Sequence, residues 1–350
     1  MDVDGAGPTL DPQVARVVEQ VHEGGFPGWH ALSVERARRV EEEIFSPGAA
    51  PELADVHDRS IPGPADDLGV RIYRPGADGP IPTLVFYHGG GWCLGTLDSA
   101  DDVCRLLADR VGCVVVSVDY RLAPEHRFPA AVKDAFAAAE WAAENASALG
   151  GDPALGVAGT SAGGSLAAAT ALLARDRDGP AIAHQLLCYP LVDYAHGTRT
   201  ADGARRTAGV HVVDGAGPAE NAVEPDGSGD TEEGHAGEGP IGETLLTRAD
   251  VAWFWEQYLP DSSAGADPLA SPLRASDFGE LPSATVLTCG FDPLCAEGAA
   301  YADRLADAAV PVVHEHYPRL AHGFLSLTDT VDAADRAMDD AAVAVQSTLD

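Results

Sequence analysis

LGVAGTSAGGSLAAATALLAR, residues 155–175, is an apolar run that meets a serine between glycines and continues as an alanine-rich segment. The pattern Gly159-Thr160-Ser161-Ala162-Gly163 is weak by itself, because 38 glycines make chance matches common. Its setting strengthens it, since strand, sharp turn and helix in that order lift a serine hydroxyl out of a sheet. The glycines let strand and helix backbones approach closely around a strained turn, and the helix N-terminus offers the positive end of its dipole to developing negative charge.

The same alternation extends both ways from this turn. Upstream, VRIYRP from Val70, TLVFYH from Thr83 and CVVVSVDY from Cys113 read as strands, the last two as continuous apolar runs suited to strands covered on both faces. Helices are expected at Asp101–Arg110 and Pro129–Ala148, with Pro129 placed at a helix start. Downstream come the helix Ala162–Arg175, the strand HQLLCYP, the strand TVLTCGF with its helix Ala296–Ala309, the strand VVHEHYP, and a last helix over Val331–Leu349. Strand and helix in strict alternation predict an α/β fold: a mostly parallel central sheet with right-handed crossovers and helices on both faces. No internal repeat interrupts it.

Two regions fall outside that rhythm. Before the first strand signal, helices are expected near Pro12–Glu23 and Val34–Glu43. Between Ala195 and Ile241 the chain is rich in Gly, Ala, Glu and Asp, and PDGSGDTEEGHAGEGP has too little apolar surface to order itself, so it reads as a mobile loop. After it, TRADVAWFWEQYLP sets Val251, Phe254, Trp255 and Tyr258 at helical spacing. That face suits either ordinary core packing or a helix roofing a pocket.

A seryl hydroxyl is a poor nucleophile near neutral pH, so it needs a base within hydrogen-bonding reach and a carboxylate to hold that base in the right tautomer. The strand-turn-helix serine resembles that of the α/β-hydrolases, and this resemblance implies an acid and a histidine after later strands, in that order. Asp292 sits directly after TVLTCGF, and His322 follows VVHEHYP in the turn Arg319-Leu320-Ala321-His322-Gly323. Asp193 lies one strand too early and reads as structural. His314 and His316 fall within a strand and read as packing residues, and Asp303 and Asp307 belong to the solvated face of a helix. His88-Gly89-Gly90-Gly91, after TLVFY, can adopt backbone conformations closed to other residues. The N–H groups of Gly90, Gly91 and Ala162 are therefore the expected oxyanion hole, with His88 bracing the loop. A phosphate loop is excluded, since no Lys-Ser or Lys-Thr follows these glycines.

Composition narrows the partners. Fifty-five acidic residues stand against 22 basic ones, and Lys133 is the sole lysine, for a net charge of −33. Such a chain repels nucleic acid and anionic lipid, and suits a salt-rich cytoplasm where ions screen its self-repulsion. No stretch approaches the apolar length of a membrane span, and MDVDGAGPTLDPQ lacks the basic start and apolar core of a secretory signal, so a cytoplasmic location is expected. The six cysteines, Cys93 included, show no metal-ligand spacing and read as reduced packing residues. No metal and no organic cofactor is expected.

Taken together these motifs resemble the hormone-sensitive-lipase-like family of α/β-hydrolases, the bacterial and archaeal esterases with an HGGG loop. HGGGWCLGTLDS, VDYRLAPEHRFPA, GTSAGG, SPL and LP, GFDPLCAEG and AHGF occur in the family's order and span most of the chain. The resemblance implies Ser161 as nucleophile, Asp292 as acid, His322 as base, and Gly90, Gly91 and Ala162 around the oxyanion. It further implies a helical cap. On this reading residues 1–50 hold N-terminal cap helices, 51–194 and 261–350 form the catalytic core, and 195–260 is a cap insertion with an acidic flexible segment near 214–240. Thr160 departs from the acidic residue many members carry there. The implied activity is hydrolysis of short- to medium-chain acyl esters by a monomer or homodimer, with no nucleic-acid or membrane partner. An amidase or other acyl hydrolase, and a non-catalytic small-molecule receptor on the same fold, stand as alternatives.

Overall fold

The apolar runs pair into one sheet in the computed structural model, which describes residues 8–45, 50–194, 210–212 and 245–349. Its strands are β1 (Asp55–Ile61), β2 (Leu68–Arg74), β3 (Ile81–Tyr87), β4 (Val114–Asp119), β5 (Gly151–Thr160), β6 (Ile182–Cys188), β7 (Val210–Val212), β8 (Ser283–Phe291) and β9 (Val312–Ala321). Among the described residues these nine lie in the order β1-β2-β4-β3-β5-β6-β8-β9-β7. β2 pairs antiparallel with β1 and β4, and every other neighbour is parallel.

Period-two alternation sends the side chains of the central strands into two cores. On β3, Val85 and Tyr87 enter one and Leu84 and Phe86 the other; on β4, Val114, Val116 and Val118 oppose Val115. The first core lies under helices α4 (Ala130–Glu144), α5 (Ala162–Asp176) and α7 (Cys295–Asp307), and the second under α3 (Asp101–Val111) and α8 (Asp332–Leu349). The helices on both faces are why these strands carry no polar side. Burying a side chain such as Leu84 or Val116 contributes about 1.5–3 kcal/mol, so the two faces together provide the main driving force.

The edges of the sheet depart from the sequence reading. β1 precedes Val70 and gave no apolar signal, because it is an edge strand whose residues 57–60 are exposed and only Ile61 is buried. β7 lies within 195–260, the expected cap insertion, ahead of the segment near 214–240 read as flexible, and its three residues add a parallel strand to β9 through Val210 opposite His314. The expected flexible segment near 214–240 lies outside the described residues. The helix expected to run to Ala148 ends at Glu144 and continues as a 3-10 turn at Ala146–Leu149.

The N-terminal helices are α1 (Pro12–Glu23) and α2 (Val34–Ile44). α1 opens with Asp11 accepting from the Gln13 N–H at 2.8 Å and buries Val14 and Val18 in the second core. The aromatic segment forms α6 (Arg248–Tyr258), begun by a capping box in which Thr247 and Asp250 serve each other's backbone N–H. Asp250 also ties the two outlying regions together: its Oδ1 accepts from the His30 backbone N–H at 3.0 Å and lies 2.7 Å from His30 Nδ1. Among the described residues no helix is long and apolar enough to cross a membrane.

Candidate active site

Ser161 stands between β5 and α5 at φ 54° and ψ −119°, a left-handed conformation that costs a non-glycine residue energy and needs its surroundings to hold it. Those surroundings are backbone. Its N–H donates to Cys188 O at 2.8 Å and its carbonyl accepts from the Leu191 N–H at 3.2 Å. A Cβ on Gly159 would fall 2.2 Å from Gly163 O, and one on Gly163 only 1.9 Å from Tyr87 O. The two glycines around Ser161 are thus required by close approach. α5 is buried from Ala162 to Ala174, which explains its small side chains.

The structure brings together three side chains separated by as many as 161 positions. His322 Nε2 lies 3.0 Å from Ser161 Oγ, and His322 Nδ1 lies 2.9 Å from Asp292 Oδ2. With the imidazole proton on Nδ1, the histidine donates to the carboxylate and accepts from the serine. Asp292 is buried, and its other oxygen accepts from the Leu294 N–H at 2.8 Å. The buried Cys289 thiol donates to Oδ2 at 3.5 Å, with its own ionisation pushed well above the ordinary value by burial. Tyr189 sets its ring edge-on to the imidazole, centroids 4.9 Å apart.

Gly89, Gly90 and Gly91 line the same cavity as Ser161 and His322. Gly90 at φ 105° and Gly91 at φ 58° adopt conformations that suit glycine, and a Cβ on Gly91 would sit 2.1 Å from the Phe254 ring of α6. The aromatic helix therefore packs straight onto the glycine loop, and Phe254 lines the cavity as well. Behind the loop, His88 stacks on Tyr120 at 4.3 Å, and its Nδ1–H donates to Gly89 O at 2.8 Å. Burial brings the His88 imidazole down to about 4, so it is a neutral brace near pH 7.

The competitors are occupied elsewhere. Asp193 pairs with Arg274 at 2.6 Å, and His314 and His316 both meet the Thr288 hydroxyl, at 2.9 and 3.0 Å. Asp307 is exposed and Asp303 half-buried on α7. Cys93 is buried, its thiol pushed up to about 12 by burial. Two carboxyls went unnoticed in the sequence. Glu297 on α7 accepts from the Val192 N–H at 2.6 Å and the Asp193 N–H at 3.2 Å, bracing the chain after β6; its place five residues beyond Asp292 was the available signal. Glu41 on α2 lines the cavity beside Ser161, and nothing in its surface-like neighbourhood EEEI announces it.

The cavity, about 170 Å³, is walled by residues from both outlying regions: Val17, Phe26, Trp29 and Phe45 from the N-terminal part, Leu246 and Phe254 near α6. A mostly parallel sheet whose strand-to-helix turn presents a serine to a histidine and a buried aspartate defines the α/β-hydrolases. Residues 84–215 and 218–326 match a family model described as the alpha/beta hydrolase fold. Carboxylic ester hydrolase LipN of Mycobacterium tuberculosis is 40% identical over 92% of this chain and 78% of its own length. Ethyl acetate hydrolase of Pseudomonas putida is 34% identical over 94% and 96%. Among solved structures, an ester hydrolase from the metagenome of Lake Arreo, complexed with a derivative of bipyridine phosphonate, superposes with a TM-score of 0.80 at 34% identity, covering 97% of this chain and 99% of that one. The chain belongs to the hormone-sensitive-lipase-like esterases of the α/β-hydrolase family.

Proposed function

We propose that this protein is a carboxylesterase acting on short- to medium-chain acyl esters, with Ser161 as nucleophile, His322 as base and Asp292 as its orienting acid. The observation that carries the reading is the unbroken hydrogen-bonded line from Asp292 Oδ2 through His322 to Ser161 Oγ at the wall of an apolar cavity. As Ser161 Oγ bonds to the ester carbonyl carbon, its proton passes to His322 Nε2, and Asp292 stabilises the resulting imidazolium. The carbonyl oxygen becomes an oxyanion facing the N–H groups of Gly90, Gly91 and Ala162, each such donor supplying about 3–4 kcal/mol in related chemistry. Collapse breaks the bond to the alcohol, which leaves with the proton from His322. Water then gives a proton to His322 and bonds its oxygen to the acyl carbon; collapse breaks the bond to Ser161 Oγ, which takes that proton back from His322, and the free acid departs. No metal or organic cofactor takes part in these steps.

A cavity of about 170 Å³ suits a small ester rather than a triglyceride surface, and the name of the Pseudomonas putida relative points to the same substrate size. The helices α1 and α2, with α6, act as the cap over a core made of 51–194 and 261–350. No disulfide joins any of the six cysteines, all of which are among the described residues; this fits a reducing cytoplasm, and the net charge of −33 fits one rich in salt. The test is turnover of p-nitrophenyl esters of graded chain length in molar salt, beside Ser161→Ala and organophosphate labelling. Wild-type turnover, with label on Ser161, is expected. An inert wild type, or Ser161→Ala with equal turnover, overturns the reading.

A further inference from the structure

α2 brings into the cavity one carboxyl for which the steps above have no use. Glu41 is 5% exposed, lines the same cavity as Ser161 and His322, and its Oε2 has no hydrogen-bond partner among the described residues. Of the three arginines of its own helix, Arg36 is exposed and the other two are committed elsewhere. Arg38 donates to Glu125 and to the carbonyls of Cys93 and Ala123, and Arg39 pairs with Glu35. The Ser99 hydroxyl and the Gly95 N–H face the carboxyl, yet Ser99 Oγ already accepts from the Thr96 N–H and donates to Thr96 O. Burial pushes the Glu41 carboxyl above its ordinary range, against the pull of Ser99, with Glu42 adding to the rise. No arginine, lysine or second carboxyl lines the cavity among the described residues.

Buried polar oxygens in folded proteins are almost always hydrogen-bonded, so an orphan one on the wall of a binding cavity marks a place for a ligand's donor. We propose that Glu41 is a specificity-determining residue, and that the preferred substrates are esters carrying a hydroxyl on the group that reaches α2. A hydroxyl serves Glu41 in either protonation state, donating to the carboxylate or accepting from the acid. An ammonium would have to shed its water in a mostly apolar chamber, where Val17, Phe26, Phe45 and Leu94 outweigh a few neutral groups such as Ser99 and Thr160, and this disfavours a charged ligand. A plain alkyl ester leaves the oxygen unserved. Discrimination by this means falls mainly on binding, because the contact is remote from the reacting carbonyl.

The inference rests on the esterase reading for the reaction but not for the binding, and its test separates the two. In a Ser161→Ala background, calorimetry compares butyl acetate with 4-hydroxybutyl acetate, and ethyl butanoate with ethyl 4-hydroxybutanoate, each also after Glu41→Gln and Glu41→Leu. In one pair the hydroxyl member should gain about tenfold over its methyl partner when Glu41 is present, and lose that gain in Glu41→Leu. Glu41→Leu should melt no lower than the parent, since it removes a buried orphan. Hydroxyl-to-methyl ratios that stay within about twofold in both pairs overturn the proposal. So does a fall in melting temperature with equal weakening of both members, which marks Glu41 as a structural prop. An ammonium analogue that outbinds the hydroxyl ester would likewise overturn the assignment of a neutral donor. Turnover of the same esters with Ser161 intact is the separate arm: a binding preference without turnover sinks the esterase reading and leaves Glu41's role standing.

Discussion

Gly163→Ala tests whether the close approach of α5 to β3 is what aims Ser161. The added Cβ would lie 1.9 Å from Tyr87 O and 2.5 Å from His88 O, both backbone atoms, so no side chain can swing away to make room. Restoring even a tight 3.0 Å contact requires a shift of about 1.1 Å between the start of α5 and the end of β3. Either partner moving damages the site, because α5 starts directly after Ser161 and β3 leads into the glycine loop. A displacement of that size stretches the 3.0 Å bond between Ser161 Oγ and His322 Nε2 beyond hydrogen-bonding range. A misplacement of about 1 Å costs on the order of 100-fold in rate, and overpacking costs about 1–3 kcal/mol in stability. Ester kcat/KM and thermal unfolding by circular dichroism read the two effects. Gly112→Ala is the matched control: at φ 72° with open space around it, it should lose about 1 kcal/mol and keep its activity. A folded Gly163→Ala enzyme within about threefold of wild-type kcat/KM would refute the reasoning.

Asp292→Asn keeps the shape of the site but no longer holds the His322 proton on Nδ1, and kcat should fall by about 10⁴-fold, as in serine-protease triads; single-turnover kinetics with a chromogenic ester measures it. Burial holds the His184 imidazole down to about 4, so the folded chain keeps it neutral while the unfolded chain protonates below its ordinary 6.5. The folded value is the lower one, so this contribution to stability is whole above pH 6.5 and is lost as pH falls toward 4. His184→Leu should therefore lessen the acid loss in urea unfolding between pH 7 and 5, by up to about 1.4 kcal/mol per pH unit; an unchanged slope contradicts it. Raising KCl from dilute buffer to molar levels shortens the screening length from about 10 Å to about 3 Å. With a net charge of −33, the melting temperature should rise; equal melting at both ionic strengths argues against salt adaptation.

The parallel strands were legible because both of their faces are covered, which leaves runs such as TLVFY and CVVVSV with no polar alternation. β1 was not, since its exposed residues 57–60 owe their extended form to pairing with β2 rather than to burial. β7 is similar, three residues of the expected cap insertion whose extended form comes from pairing with β9. Helix ends moved by one or two residues, except at Glu144, where Asn145 and the 3-10 turn end a run that alanine content alone would prolong. The Gly159-to-Gly163 turn was legible because its chemistry is local: glycines are needed wherever β5 and α5 nearly touch.

By itself the sequence determined which residue types were available for acyl transfer and the order in which they follow their strands, because nucleophile turn, glycine loop and strand-end loops are short-range features. Only the tertiary structure decided what meets what. The 3.0 and 2.9 Å contacts of His322, the Phe254 ring against Gly91, and Glu41 facing the cavity from a helix of surface-like composition each join parts of the chain far apart in sequence. Such contacts depend on how the layers stack, and no local pattern encodes that, since the same helix face can turn toward water or toward a cavity according to what lies beneath it.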